Sequence, residues 1–443
     1  MSARSAALEC LLLVEREDAY ANLVLPQILR RRGLSPRDAA LATELTYGAL
    51  RMQGLYDAVI AWAARRDPLS LDAPVRAALR LGVHQAIAMR TPAHAAVDQT
   101  VRLVREAGMA RASGLVNAVM RRVVEADADA WLARVAPGGS RRDLAIRHSH
   151  PEWVVGEIER ALQADGRAGQ TADALASHNV PARVTLVARP GLVERDALAA
   201  HTAGQPTPLS PWGVSLGGGD PAAIAEVADG RAAVQDEGSQ LAALALLAAP
   251  LEGPDARWLD MCAGPGGKAG LIAAAAAQRG ATLDALELHA HRARLVEQAV
   301  RAVAPGTVTV HAADATTWEG GPYDRILLDA PCTGLGALRR RPEARWRRSP
   351  QDLADLTALQ ARLLARAARL VRPGGVIAYV TCSPVVAETR DVVAASDLRV
   401  LDVRPVLAEA TGMGDGWGVH PAVQLWTHVH GTDSMFISLL TRR

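Results

Sequence analysis

The sequence predicts a multidomain chain: an all-α N-terminal domain, a small α+β linking segment, and an α/β C-terminal domain on a doubly wound parallel sheet. Three observations carry this. The length, 443 residues, exceeds what one ordinary core fills. Up to about residue 145, apolar residues recur at three- and four-residue spacings with almost no strand signal. From about residue 231, short apolar runs alternate with helical stretches, the pattern of strands joined by helical crossovers.

Residues 1–145 are punctuated at Gly33-Leu34-Ser35-Pro36, Arg66-Asp67-Pro68 and Thr91-Pro92, with Ser35 a candidate N-cap before a first-turn proline. Residues 146–230 are mixed. HPEWVVGEIERALQ reads as a helix, ARVTLVA as a strand, and TAGQPTPLSPWGVSLGGGDP, rich in turn formers, as a connector. Residues 231–443 begin with the strand WLDM, a glycine loop and the helix AGLIAAAAAQ. TLDALEL, VTVHAAD, YDRILLDAP and GGVIAYVTCS read as further strands, with HRARLVEQAVRAV and LTALQARLLARAARLV as helices. The runs VQLWTHV and MFISLLTRR, joined by HGTDS, read as a hairpin closing the edge of the sheet.

Composition narrows the function classes. Net charge is +2, so any nucleic-acid surface has to come from local clustering. The four cysteines, Cys10, Cys262, Cys332 and Cys382, show no CxxC or His-rich spacing, and no metal site is expected. The first twenty residues read as an amphipathic helix rather than a signal peptide, and no run of about 18 charge-free apolar residues suggests a membrane span. A cytoplasmic monomer with free thiols is the expectation. Lys268 is the single lysine; the other basic residues among the 49 are arginine. Where arginine serves every ordinary positive charge, a retained lysine points to a place for a compact ammonium.

The loop after WLDM is Cys262-Ala263-Gly264-Pro265-Gly266-Gly267-Lys268. Glycines between a strand and a helix let a ligand approach the backbone closely. From Gly264 the loop fits the dinucleotide fingerprint, which alone is a weak signal for a nicotinamide enzyme. It fails the phosphate-loop pattern, because Ala269 follows Lys268 and Cys262 stands where the leading glycine belongs. Acids recur at strand ends: Asp260, Glu287, Asp314 and Asp329. One such acid would read as a solvated loop residue, whereas a series beside a glycine loop favours a ligand. Glu287 suits ribose hydroxyls, and Asp314 an adenine amino group.

Cys332, in Asp329-Ala330-Pro331-Cys332, and Cys382, in Thr381-Cys382-Ser383-Pro384, follow strand ends on the ligand side. A lone free cysteine usually packs as a small hydrophobe. Two at equivalent positions beside the acids favour chemistry, although spacing does not say which thiol attacks. Cys10 and Cys262 are assigned to packing.

CAGPGGK, DAPCTGLG with RRRPEARW, and TCS together resemble the RNA cytosine-C5 methyltransferases of the Nop2/NSUN/Sun (Fmu) group, as does VQDEGSQLAALAL ahead of the first strand. The N-terminal part resembles the RNA-binding fold of NusB. The combination is similar to the bacterial small-subunit (16S) rRNA branch of the group. The resemblance implies a Rossmann-like domain that binds S-adenosylmethionine through Cys262 to Lys268, Glu287, Asp314 and Asp329. It implies Cys382 as nucleophile, Cys332 in product release, and Asp329 and Lys268 as further catalytic groups, with Asp329 placed to hydrogen-bond N3 of the base. Two departures stand out. Gly264 replaces a common alanine, which we expect to be neutral, and after TCS only Glu388 remains of a Glu-Glu-Asn run.

The run RRRPEARWRR carries Arg339, Arg340, Arg341, Arg345, Trp346 and Arg347. A charge run is usually a solvated face, but its place after the DAPC turn suggests a grip on RNA phosphates, with Trp346 either stacking on a base or packing. The expected partner is small-subunit rRNA. The rivals are tRNA as substrate, and a non-catalytic NusB-like RNA-binding factor; the intact Cys332, Cys382, Asp329 and Lys268 speak against the latter.

Overall fold

Side-chain caps set the helix starts in the N-terminal part. Ser2, Ser35, Asp127 and Ser140 each accept a backbone N–H there, and Ser35 takes that of Asp38 ahead of Pro36, as expected. The helices Ala3–Arg16, Ala21–Arg32, Pro36–Arg51, Gln53–Ala64, Ala93–Glu106 and Ser113–Val123 each turn an apolar face into one core. Helix Ala73–Ile87 is buried all round from Val75 to Gln85 and forms its centre. Tyr56 Oη lies 2.8 Å from His84 Nδ1 inside this core. The His84 ring occupies the place a Cβ on Gly48 would take, 2.1 Å away, so only glycine fits there.

The computed structural model describes residues 2–442. The chain divides into two compact units. The first takes the helical part as far as Glu159, then Gln170–Pro181, and a segment from far downstream, Leu338–Arg347. The second takes Arg160–Gly169, Ala182–Ala337 and Arg348 onward. This division differs from the expected boundaries at 145 and 230: the expected linking segment is shared between the units and does not stand alone.

The second unit holds two sheets. Strands β1 (Thr185–Ala188), β2 (Gln205–Pro206), β3 (Gly213–Ser215) and β4 (Ala232–Val234) form an antiparallel sheet in the order β2-β3-β1-β4. Its core is Leu186, Ala188, Val214 and Ala232 with Leu198. The expected connector after residue 200 thus contributes β2 and β3. Their two- and three-residue lengths leave no alternation to read, and only pairing with distant residues makes them strands.

The larger sheet contains β5 (Arg257–Asp260), β6 (Thr282–Glu287), β7 (Val308–Ala312), β8 (Tyr323–Asp329), β9 (Val371–Thr381), β10 (Arg399–Leu401), β11 (Val423–Gln424) and β12 (Phe436–Thr441). The order is β10-β12-β9-β8-β5-β6-β7, with β11 paired to β12. The strands β7, β6, β5, β8 and β9 run parallel, and β12 is antiparallel to both of its neighbours, β9 and β10. Burial on both faces explains the near-continuous apolar runs of β8 and β9. The tail does fold back as the β11–β12 pair. It also reaches the edge: β12 has β9 on one side, and on its outer side β11 and the short β10, each paired with β12 alone, form the border of the sheet. The central β5 has β6 on one side and β8 on the other, so the winding reverses there, and in such sheets the crevice for a ligand opens at the carboxyl ends. Among the described residues no helix is long and apolar enough to cross a membrane, and no cluster of His, Cys, Asp and Glu could hold a metal ion.

Candidate active site at the carboxyl edge of the parallel sheet

Parallel pairing brings the carboxyl ends of β5, β8 and β9 to one edge. Asp260 closes β5, Asp329 closes β8, and Cys382 directly follows β9. The glycine loop leaves β5 and enters helix Gly267–Arg279. A tight turn forms from Gly266 N–H to Ala263 O at 2.7 Å. Gly266 has φ +107°, and a Cβ there would stand 2.4 Å from the Ala299 methyl, so both conformation and space demand glycine. A Cβ on Gly267 would meet nothing within 4 Å, which leaves the helix start open to a ligand.

Gly264 lies against a side chain from the next strand. A Cβ there would lie 2.0 Å from Glu287 Oε2, so an alanine would require the end of that side chain to shift. Glu287 is buried at the end of β6 and accepts from His289 N–H at 3.0 Å. Arg292 Nη2 donates to Gly264 O at 2.9 Å and lies 3.3 Å from Glu287 Oε2. This arginine ties the loop to the acid; nothing in its sequence surroundings separates it from the other arginines of its helix.

Lys268 Nζ donates to Asp329 Oδ2 at 2.8 Å. Burial works against the ammonium, but the Asp329 charge and hydrogen bond outweigh it and hold Lys268 above its ordinary value. Asp260 is 1% exposed; its Oδ1 accepts from Cys262 N–H at 3.2 Å and its Oδ2 has no hydrogen-bond partner. Burial and the neighbouring Asp329 charge push its pKa up to about 7. Burial first, then the surrounding carboxylates, push the Cys262 thiol well above its usual range, and that side chain packs on the apolar core beneath the loop. Cys10 is buried in the helical core.

The two strand-end thiols meet. Cys332 Sγ lies 3.4 Å from Cys382 Sγ, and both residues are half-buried. The contact with Cys332 lowers the Cys382 pKa, with help from the Lys268 ammonium and against burial and Asp329. The same contact, together with burial, raises Cys332 well above its usual range. At this distance a thiolate on Cys382 would be held by the S–H of Cys332. Gly336 N–H donates to Cys382 O at 2.8 Å, pinning the turn after β9.

Asp314 is placed less directly. It lies two residues past β7, exposed, with Oδ1 accepting from Thr316 N–H at 2.8 Å and Thr316 Oγ1 at 2.7 Å.

The arginine run requires a correction. Arg345, Trp346 and Arg347 are spent on fixing the segment Leu338–Arg347 within the helical unit. Arg345 is 0% exposed and donates to Ser149 O at 2.8 Å, Asn179 Oδ1 at 2.9 Å, His148 O at 3.3 Å and Arg51 O at 3.4 Å. Burial, and the Arg51 charge after it, lower its pKa to about 9. The Trp346 ring fills the place a Cβ on Gly54 would take, 2.7 Å away. Arg347 donates to Asp18 O at 2.8 Å, Val14 O at 3.1 Å and Ala19 O, and lies over the Tyr20 ring. Arg340 and Arg341 are exposed, the latter over Tyr20 at 5.0 Å, and Arg339 is half-buried.

An open helix start, a glycine turn, an unpartnered buried carboxylate oxygen and a second carboxylate at the next strand end fit an adenosyl cofactor with an amino-acid tail, whose donors and acceptors these groups match. The family of 16S rRNA methyltransferases RsmB/F matches residues 245–441, and the NusB family matches residues 1–125. The methyltransferase Rv1407 of Mycobacterium tuberculosis is 47% identical over 99% of this chain and 96% of its own. Ribosomal RNA small subunit methyltransferase B of Xanthomonas campestris is 33% identical over 92% of this chain and 90% of its own. The same-named protein of Pseudomonas putida is 32% identical over 100% and 99%. In fold the chain is similar to the solved structure of PH0851, with TM-score 0.81 at 20% identity over 100% of this chain and 99% of that one. It is also similar to NSun6 from Pyrococcus horikoshii, with TM-score 0.54 at 17% identity over 65% of this chain and 97% of that one. The chain belongs to the RsmB/F family of 16S rRNA methyltransferases, S-adenosylmethionine-dependent enzymes acting on RNA, and carries a NusB domain at its N-terminus.

Proposed function

We propose that this chain methylates carbon 5 of a cytosine in small-subunit rRNA, with Cys382 as nucleophile and Cys332 assisting release. The observation that carries the reading is the thiol pair, 3.4 Å apart, beside the Lys268–Asp329 ion pair. Carbon 5 of cytosine is too weak a nucleophile to take a methyl group unaided. Addition of the Cys382 thiolate at carbon 6 raises electron density at carbon 5. Cys332 and Lys268 both favour that thiolate. With Oδ2 held by Lys268, Asp329 has Oδ1 to accept from the exocyclic N4 amine of the base, or from N3–H when N3 carries a proton. Bound S-adenosylmethionine supplies an electrophilic methyl group. Cys262, Ala263, Gly264, Pro265, Gly266, Gly267 and Lys268 would line it, with Glu287 on the ribose, Asp314 on the adenine side and Asp329 closing the site.

Release requires the carbon 5 proton to leave. Cys332 accepts it as a thiolate; the C–H electrons restore the ring double bond, and the carbon 6–sulfur pair returns to Cys382. Cys332 is held protonated mainly by its contact with Cys382. Once Cys382 is bonded to the base, it carries no charge, and Cys332 gives its proton to solvent water more readily; the resulting thiolate then takes the carbon 5 proton.

The target base has to be unpaired or flipped out to reach the sulfur. We assign RNA holding to the helical domain, residues 1–145, and to Arg339, Arg340 and Arg341, with the chemistry in residues 231–443. Bisulfite sequencing of rRNA from cells with and without the gene tests the product. Radioactive methyl transfer by Cys382→Ser to small-subunit rRNA and to tRNA tests the mechanism and the substrate. We expect a loss on the order of 10³ or more for that variant, and labelling of rRNA by the wild type. An undiminished rate would overturn the role of Cys382, and labelling of tRNA alone would overturn the rRNA assignment.

A further inference from the structure

Glu388 is 0% exposed and has no part in the chemistry above. It ends the short turn Val386–Glu388, a few residues past Cys382. Both carboxylate oxygens are engaged. Oε1 accepts from Thr333 N–H at 2.7 Å and from Gln360 Nε2 at 3.2 Å. Oε2 accepts from Thr333 Oγ1 at 2.5 Å. Gln360 Nε2 also donates to Pro331 O at 2.8 Å.

Pro331 and Thr333 are the two neighbours of Cys332. One buried carboxylate therefore holds the chain on both sides of that thiol, directly on one side and through a single amide on the other. The link continues to the second thiol: Thr333 Oγ1 lies 3.2 Å from Ser383 Oγ, next to Cys382. Two N–H donors and one hydroxyl converge on the site, and a carboxylate accepts from all three. A glutamine would put its NH₂ against the Thr333 hydroxyl, forcing that hydroxyl to turn round, and would remove the charge that strengthens all three bonds. Burying a carboxylate is costly unless it is well hydrogen-bonded, so its use where a neutral side chain could fill the space calls for a reason. The donors supply one, since they belong to the loop that carries Cys332 and to the helix residue that braces it.

We infer that Glu388 is a positioning residue for methyl transfer: through Thr333 and Gln360 it holds Cys332 at contact distance from Cys382. This rests on the covalent reading above. Without the clamp, Cys332 drifts from Cys382. The nucleophile then loses the S–H that stabilises its thiolate, and the adduct loses the group that takes the carbon 5 proton.

The test uses full-length Glu388→Gln and Thr333→Val. The first readout is alkylation of Cys382 by iodoacetamide against pH, followed by peptide mass spectrometry. We expect the midpoint to rise by about one pH unit in Glu388→Gln, and less in Thr333→Val, which keeps the peptide N–H. The second is turnover, expected to fall roughly tenfold with KM for RNA and donor within about twofold. An unchanged alkylation midpoint in a Glu388→Gln protein that melts like wild type overturns the inference. Should that variant not fold, an unchanged midpoint in Thr333→Val overturns it equally. Wild-type protein that forms no adduct with 5-fluorocytosine RNA defeats the covalent reading instead, and leaves the alkylation result to judge the clamp on its own.

Discussion

Lys268 Nζ donates to Asp329 Oδ2 at 2.8 Å, so the single ammonium side chain of the protein is shared between a carboxylate and the thiol it helps to ionise. Lys268→Met keeps most of the volume and removes the charge. Because Lys268 favours the Cys382 thiolate, its loss moves the acid limb of the single-turnover rate to higher pH. At any pH below that limb, the variant is slower by about tenfold for every pH unit the limb has moved. A pH–rate profile checks this, and a limb that stays in place would separate Lys268 from the nucleophile.

Asp260 gives a prediction about stability. Its folded pKa is raised to about 7 by burial and by Asp329, against about 3.9 for an unfolded Asp. The folded state therefore binds the proton more tightly. That contribution is complete below pH ~4 and is lost as pH rises through ~7, amounting to at most about 4 kcal/mol. Asp260→Asn keeps an acceptor for Cys262 N–H and removes the titration. Denaturant unfolding between pH 4 and 8 will show a flatter stability curve for the variant than for wild type.

Arg345 and Arg341 differ in burial, and their replacements are expected to differ in effect. Arg345→Ala strips a cation from several buried acceptors and is expected to cost about 2–4 kcal/mol of stability. It leaves the salt dependence of RNA binding unchanged. Replacing the exposed Arg340 and Arg341 with alanine weakens RNA binding and lowers the salt slope by about 1 per lost phosphate contact. Binding isotherms at several salt concentrations distinguish the two, and an unaltered slope for the Arg340/Arg341 pair would remove them from the RNA surface.

Gly336→Ala should damage the site from the backbone. The added Cβ would lie 2.0 Å from Ser434 O and 2.8 Å from Cys382 O, and neither carbonyl sits on a flexible side chain. We expect a stability loss of about 1–3 kcal/mol. Methyl transfer should fall further than the fraction unfolded explains, because Cys382 is displaced. Activity that tracks the folded fraction would contradict this.

The residues that meet at the candidate site were legible in part because their signals are local. Glycine between strand and helix, acids at strand ends, and cysteines after two strands are all read within a few residues of their strands. What stayed hidden depends on distant partners. Gln360 and Glu388 look like ordinary polar residues until the fold brings them to either side of Cys332. The sequence does not show that Gly264 and Glu287 come together. Arg345 and Arg341 belong to one charge run, and only burial separates them. The strands β2, β3 and β10 are too short to carry alternation, so pairing alone defines them.

The discontinuity of the helical unit bears on how it is made. The carbonyl of Ser149 and the side-chain oxygen of Asn179 await the guanidinium of Arg345, which is translated more than 150 residues later. An N-terminal product ending at Pro181 would carry those acceptors unfilled, so the helical body reaches its final packing only after the ribosome has delivered Arg347. Transplanting this body onto another protein means moving two separate stretches of coding sequence.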